Sequence, residues 1–328
     1  MKFLYVVVSD NTDYYYEQAF LSIITLRKFN PSAFITLLTD TYTEKTFEIR
    51  KANINSLVNE LIVEKFENEV NKIVRSRLLK TNMRNLIDGD FLYIDSDTVI
   101  TASLDYIWNK PIDFGAVGDG NINEIDEIIE RNHFHKGTKR LRKTIKDKTF
   151  REYKTLFNSG VLFVRDTKLN REFFGNWVEE WNEYAKKGYF NDQFPLQIVN
   201  WKKGFPIKLM ENELNLQNIY GVVYLNKCKI FHYFANSRVC PEIFDILHKI
   251  KTNGTPNESE VNYVLNLENF YKKPSILISG QNFYFHLSNI NMRIFIVKFS
   301  KIFPRLFKFL DKILGYIIYF KINLRRKI

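Results

Sequence analysis

The sequence predicts an α/β protein: a mixed, mainly parallel sheet flanked by helices, followed by a helical, basic C-terminal tail. Three observations predict it. Short apolar runs rich in β-formers recur at six places along the chain, with longer segments of helical spacing between several of them. The chain has 328 residues, 45% hydrophobic and 26% charged, which fits one large unit with an appendage, or two domains, and excludes disordered and multi-span membrane classes. The net charge of +11 is unevenly placed, because residues 290–328 hold ten Lys and Arg against the single acid Asp311, leaving a nearly neutral body.

The first apolar run, residues 3–8, reaches Ser9-Asp10 at once. It reads as a buried strand and is too short for a secretory signal, so a cytoplasmic protein is expected. Helical spacing follows at 16–28, a strand at 34–39, a helix at 43–53 and a strand at 60–63. A helix is expected over 69–87, strands over 91–94, 114–117 and 160–164, and a helix over 169–186. Alternation of this kind argues for crossover connections and a parallel sheet, and such sheets bind ligands beyond the carboxyl ends of their strands. Residues 252–260, with Gly254 and Pro256, suggest a break. The expected layout is a body over 1–250, an accessory segment over 251–289 and the tail over 290–328. Cys228 and Cys240 are the only cysteines, which excludes a disulfide scaffold and a four-cysteine zinc site.

The polar residues at strand ends carry the chemistry. Phe91-Leu92-Tyr93-Ile94 runs into Asp95-Ser96-Asp97. In extended backbone, residues two apart point the same way, so both carboxylates can converge on one hard cation; a strand end with a capping and a turn Asp is the plainer reading. His232 stands alone in the apolar run 230–234, either as a hydrogen-bonded core residue or as a metal ligand, and Arg238 follows six residues later as a candidate diphosphate partner. Arg77 sits at the edge of the buried stripe of its helix, where a charge needs an anionic partner: a carboxylate of the Asp pair, a substrate phosphate or a structural ion pair. Asn158 and Gly160 open a buried strand. Asn191 reads as a helix N-cap, with Asp192 and Gln193 behind it.

In this order, these strings resemble a family 8 glycosyltransferase of the Rossmann-like GT-A fold, over roughly residues 3–238. The resemblance rests on Ser9-Asp10 and Tyr15, Arg77, Leu92–Asp97, Phe157–Leu162, Asp192-Gln193 and His232. It implies that Asp95, Asp97 and His232 hold Mn²⁺ or Mg²⁺, and that Ser9, Asp10 and Tyr15 hold the nucleotide base. Arg77, Ser96, Asn158 and Arg238 would contact the donor sugar and diphosphate, and Asp119 the sugar on the acceptor side. Asp192 would bind donor-sugar hydroxyls, and Gln193 would lie under the anomeric carbon. The family commonly shows His-x-x-Gly-x-x-Lys, whereas here Ala235 and Arg238 follow His232; Ala235 adds a methyl where backbone approaches ligand.

The implied activity is a metal-dependent, retaining transfer of galactose or glucose from a UDP-sugar to a surface glycan, as in bacterial lipopolysaccharide synthesis, or to its lipid-linked precursor. An inverting GT-A transferase and a non-catalytic, membrane-tethered sugar-nucleotide binder are the alternatives. Between 136 and 154, nine bases face only Asp147 and Glu152, which suits a lid, an acceptor arm or a solvated amphipathic pair of helices. In the tail, bases alternate with aromatics from Arg293 to Phe309, and the longest apolar run, 313–320, is far short of the roughly 20 residues that span a bilayer. An anionic membrane surface is therefore the expected partner, with a helix packed on the body and a solvated basic face as the alternative; nucleic acid is not expected, because the family-like site explains the body without it. The expected location is peripheral, on the inner face of the cell membrane.

Overall fold

The computed structural model describes residues 2–67, 70–126, 153–217, 221–234, 240–267, 269–272, 276–277 and 284–285, together with 295, 298–299, 302–307, 309–310 and 313. Two compact units divide the chain, Met1–Leu267 and Glu268–Ile328. The basic stretch 136–152 and Arg238 lie outside the described residues.

The first unit is built on a seven-stranded sheet. Its strands are β1 (Lys2–Val7), β2 (Phe34–Asp40), β3 (Glu60–Glu64), β4 (Phe91–Ile94), β6 (Phe114–Gly118), β7 (Phe157–Val164) and β8 (Lys208–Leu209). Their order is β3-β2-β1-β4-β7-β6-β8. The pairs β1–β2, β2–β3, β1–β4 and β6–β8 are parallel, whereas β7 runs antiparallel to both neighbours. A three-stranded sheet joins β5 (Thr98–Ile100), β10 (Ile230–His232) and β9 (Leu216–Gln217). These last short strands carry no periodic signal of their own, and only pairing with each other makes them strands.

The helices are α1 (Tyr15–Phe29), α2 (Thr41–Glu44), α3 (Lys72–Leu86), α4 (Lys168–Ala185), α5 (Gln193–Lys202), α6 (Pro241–Asn253) and α7 (Glu258–Leu265). Asn71 caps α3 by accepting from the Ile73 N–H, and Thr167 caps α4 through the Asn170 N–H. The helix expected over 43–53 is not formed. After the four residues of α2 come two single turns, Phe47–Ile49 and Ile54–Ser56, because that stretch has no continuous apolar stripe and its Arg50 bends inward to Glu17 and Ser9. Of residues 252–260 only 254–257 lie between α6 and α7, within the first unit. Gly254 takes a positive φ there, and Asn257 and Glu260 form a capping box.

The core lies between the central sheet and the packed pair α3 and α4. Tyr93, Leu162, Phe174, Trp177, Leu79 and Met83 are all buried in it, each contributing about 1.5–3 kcal/mol by leaving water. Burial on both faces explains why these strands read as continuous apolar runs. In the second unit, Ile276–Leu277 pairs antiparallel with Tyr284–Phe285. Among its later described residues, Phe295, Ile302, Phe303, Leu306 and Phe309 are exposed. No helix among the described residues is long and apolar enough to cross a membrane.

Candidate active site

Strand direction assembles the site. Because β1 and β4 are parallel, Ser9 and Asp95 leave the same edge of the sheet. Because β7 is antiparallel to β4, its first residues return to that edge, where the Asp95 N–H donates to the Gly160 carbonyl at 2.8 Å. In turn β6 ends opposite the start of β7, with Gly118 beside Phe157, and delivers Asp119. Finally, β10 pairs antiparallel with β5, which places His232 opposite Thr98, one residue after Asp97. The Tyr233 N–H completes this pairing by donating to the Asp97 carbonyl at 3.1 Å.

Asp95, Asp97 and His232 therefore meet, with one ligand atom from each lying within 4.8 Å of the others. His232 Nε2 is 3.1 Å from Asp97 Oδ1, and its Nδ1 is 3.0 Å from Asn215 Oδ1. With Asn215 accepting from Nδ1–H, Nε2 is the atom turned to the carboxylates, which is how protein imidazoles are oriented for a metal. The fit to a divalent cation is good: two carboxylate oxygens and one imidazole nitrogen converge from a rigid turn and a strand end. Burial opposes the charge on His232, but the Asp97 carboxylate outweighs it and raises the imidazole pKa; burial likewise opposes ionisation of Asp97, and His232 brings its pKa below the usual carboxylate value. Ser96 occupies the half-buried turn between the two Asp residues.

Beside the triad lies Asp192, only 4% exposed, just ahead of α5. Its Oδ2 accepts from Ser159 Oγ at 2.7 Å and stands 3.1 Å from Lys80 Nζ, while Oδ1 is 3.3 Å from Arg77 Nε. Burial raises the cost of ionising it, yet the Lys80 and Arg77 cations prevail and hold its carboxyl well below the ordinary range. Asn191, as expected, caps the helix by accepting from the Phe194 N–H at 2.9 Å. Asn158 lies inside β7 and links three groups: its Nδ2 reaches Asp119 Oδ1 and Gln193 Oε1, each at 3.3 Å, and its Oδ1 accepts from Asn215 Nδ2 at 2.9 Å. A continuous polar chain thus runs from His232 through Asn215 and Asn158 to Gln193.

Ser9 and Asp10 belong to a second cluster at the end of β1, organised by residues the sequence did not single out. Asp13 accepts from Ser9 Oγ at 2.6 Å and from the Tyr15 N–H at 3.0 Å. Lys72 bridges Asp10 and Asp13 at 2.6 and 2.7 Å, and the Lys72 hydrogen bond, followed by that of Thr12, drives the Asp10 pKa down. Arg50 donates to Ser9 Oγ and to the Asp10 carbonyl, both at 2.9 Å. Tyr15 opens α1 with 46% of its surface exposed.

Lys80 is a further residue that the sequence reading missed, as it missed Asn215, Asp13, Lys72 and Arg50. It is 4% exposed, with Nζ 3.0 and 3.2 Å from the two oxygens of Asp95. Its one signal is position: it falls three residues after Arg77 and next to buried Leu79 and Thr81, so it shares the inner face of α3.

No family model matches the chain, and no curated protein matches it. Solved structures do. Over 79% of this chain and 98% of the other, it resembles the galactosyltransferase LgtC crystallised with donor and acceptor sugar analogs, at 17% identity and a TM-score of 0.54. Mouse xyloside xylosyltransferase 1 aligns over 71% of this chain and 98% of its own, at 12% identity and a TM-score of 0.45. The glycosyltransferase GlyE of Streptococcus pneumoniae aligns over 82% of this chain and 61% of its own, at 16% identity and a TM-score of 0.46. The sheet order, its helical cover and the resemblance to LgtC together establish that the chain has the GT-A fold.

Proposed function

We propose that this chain is a metal-dependent, retaining family 8 glycosyltransferase. It would move galactose or glucose from a UDP-sugar to a hydroxyl of a cell-surface glycan such as lipopolysaccharide, or of its lipid-linked precursor. The observation that carries the reading is the convergence of Asp95, Asp97 and His232 at the carboxyl edge of a GT-A sheet, next to Asp192, Gln193 and Asn158. The LgtC structure held donor and acceptor sugar analogs, which supports a sugar donor and a sugar acceptor here.

Mn²⁺, or Mg²⁺, held by the triad would supply Lewis-acid stabilisation of the leaving diphosphate. The chain's own residues do the rest. Ser9, Asp10 and Tyr15 hold the base, Ser96 and Arg238 the diphosphate side, and Arg77 adds fixed positive charge where the leaving group becomes anionic. Asp192 binds sugar hydroxyls, and its engagement by Lys80, Arg77 and Ser159 makes it a poor nucleophile. Gln193 has a neutral amide, weaker still. Both facts favour attack by the acceptor on the face that the diphosphate leaves, with retention, rather than a covalent sugar–enzyme intermediate. Asn158 orients Gln193 and Asp119, and Asp119 meets the acceptor side. The exposed Phe295, Phe303 and Phe309, with Lys298 and Arg305 between them, support a tail lying on an anionic membrane face, which agrees with a peripheral enzyme on the inner surface of the cell membrane.

The test is release of UDP from a panel of UDP-sugars with Mn²⁺. One sugar should give release that stops with EDTA and in Asp97→Asn. Tight UDP binding with no release from any sugar would favour a binder, and an inverted product would reject retention.

A further inference from the structure

Lys80 is a permanent cation set where a metal-binding carboxylate is needed. It comes from α3, is shut away from water, and divides its N–H groups between two sites. Both oxygens of Asp95 lie at 3.0 and 3.2 Å from Nζ, and Asp192 Oδ2 lies at 3.1 Å. The Tyr93 ring stands below it at 5.2 Å, and the Tyr93 hydroxyl donates to Asp95 Oδ1. Asp192 has two further partners in Arg77 and Ser159, so it does not depend on Lys80 alone for compensation.

A carboxylate offers about four lone-pair positions, so Asp95 can serve Lys80 and a divalent ion together. The two cations then stand within a few ångströms of each other in a buried site, where their repulsion is screened far less than in water. We propose that Lys80 is a built-in competitor of the metal: it neutralises Asp95 in the free protein, weakens binding of a divalent ion alone, and makes that ion bind together with a nucleoside diphosphate. The diphosphate supplies the negative charge that the pair of cations lacks, so each ligand strengthens the other by the same factor. Lys80 also ties Asp95 to Asp192, which puts the metal side and the sugar side of the site in one rigid frame. This inference rests on the metal-dependent reading above.

The experiment measures Mn²⁺ binding by electron paramagnetic resonance, with and without UDP, in the wild-type chain, Lys80→Met and Asp192→Asn. Methionine keeps the stem and removes the charge, and circular dichroism confirms folding. Lys80→Met should bind Mn²⁺ alone about tenfold tighter or more, and the gain that UDP gives to Mn²⁺ affinity should shrink by a similar factor. Asp192→Asn, which leaves Lys80 wholly to Asp95, should shift Mn²⁺ affinity the opposite way. General damage to the site would weaken both variants. Unchanged or weaker Mn²⁺ binding in a folded Lys80→Met overturns the inference while a wild-type chain that binds Mn²⁺ with UDP keeps the functional reading. A wild-type chain that binds no Mn²⁺ under either condition overturns both.

Discussion

A β-carbon on Gly160 would stand 2.5 Å from His232 Cε1 and 2.9 Å from Asn158 Oδ1, so this position admits the imidazole only because it carries no side chain. Gly160→Ala should cost about 1–3 kcal/mol through overpacking, read as a lower thermal midpoint, and should weaken Mn²⁺ binding at the same time. Asn215 works on the same ring from the other side. Removing an orienting partner of a metal-bound histidine costs about 10–100-fold in metal affinity, so Asn215→Ala should lower Mn²⁺ affinity by that factor with little change in fold. Asp192 sets the acid behaviour. Burial opposes its charge, but Lys80 and Arg77 hold its folded pKa below the unfolded value, so its stabilisation is full above about pH 4 and is lost as pH falls through that range toward the folded pKa. Urea titrations should therefore show that the deficit of Asp192→Asn against wild type narrows by about 1 kcal/mol between pH 5 and about pH 3; a constant deficit would show that the ion pairs stabilise nothing.

At the scale of elements, α3 matters most because Lys72, Arg75, Arg77 and Lys80 all project from it toward acidic partners. Its start is fixed by the Asn71 side chain. Asn71→Ala should lower global stability by about 1 kcal/mol in urea denaturation, with a larger fraying effect near Lys72 than near Lys80, seen in amide exchange of the first turn. The same helix shows what a sequence can and cannot carry. Arg77 was visible as a charge at the edge of an apolar stripe, whereas Lys80 was not, because its burial needs β4, β7 and the turn before α5 to close over it. The pair Asp95 and Asp97 was legible because a strand ran straight into it. His232 alone could have been an ordinary core residue, and only the register of β10 on β5 brings it to Asp97. Asn215 gave no signal, since it sits in a single turn at Asn212–Asn215 whose position depends on the pairing of β9 with β10. The expected helix over 43–53 failed for a related reason: Arg50 finds its partners just past β1 and on α1, and long-range pairing overrides local spacing.

Over the whole molecule, six of the seven strands of the central sheet were legible as short apolar runs, because five of those six are buried along most of their length; β8, two residues long, was not. The charge asymmetry between a nearly neutral body and the tail gives a prediction of its own. A chain ending before residue 290 should keep the thermal midpoint of the first unit while losing most of its affinity for anionic lipid vesicles, measured by cosedimentation. Raising salt should weaken the full chain's vesicle binding in parallel, since each base near such a surface is worth about 1 kcal/mol. Equal vesicle binding by the two chains would show that the tail does not hold the protein to the membrane. Anomalous diffraction at the manganese edge, from crystals grown with Mn²⁺ and UDP, decides whether Asp95, Asp97 and His232 form one divalent-cation site. A single strong peak beside Asp95, Asp97 and His232 is expected, with the His232–Asp97 contact opened to admit the ion. A peak elsewhere, or no peak with that contact still at its 3.1 Å separation, would contradict it.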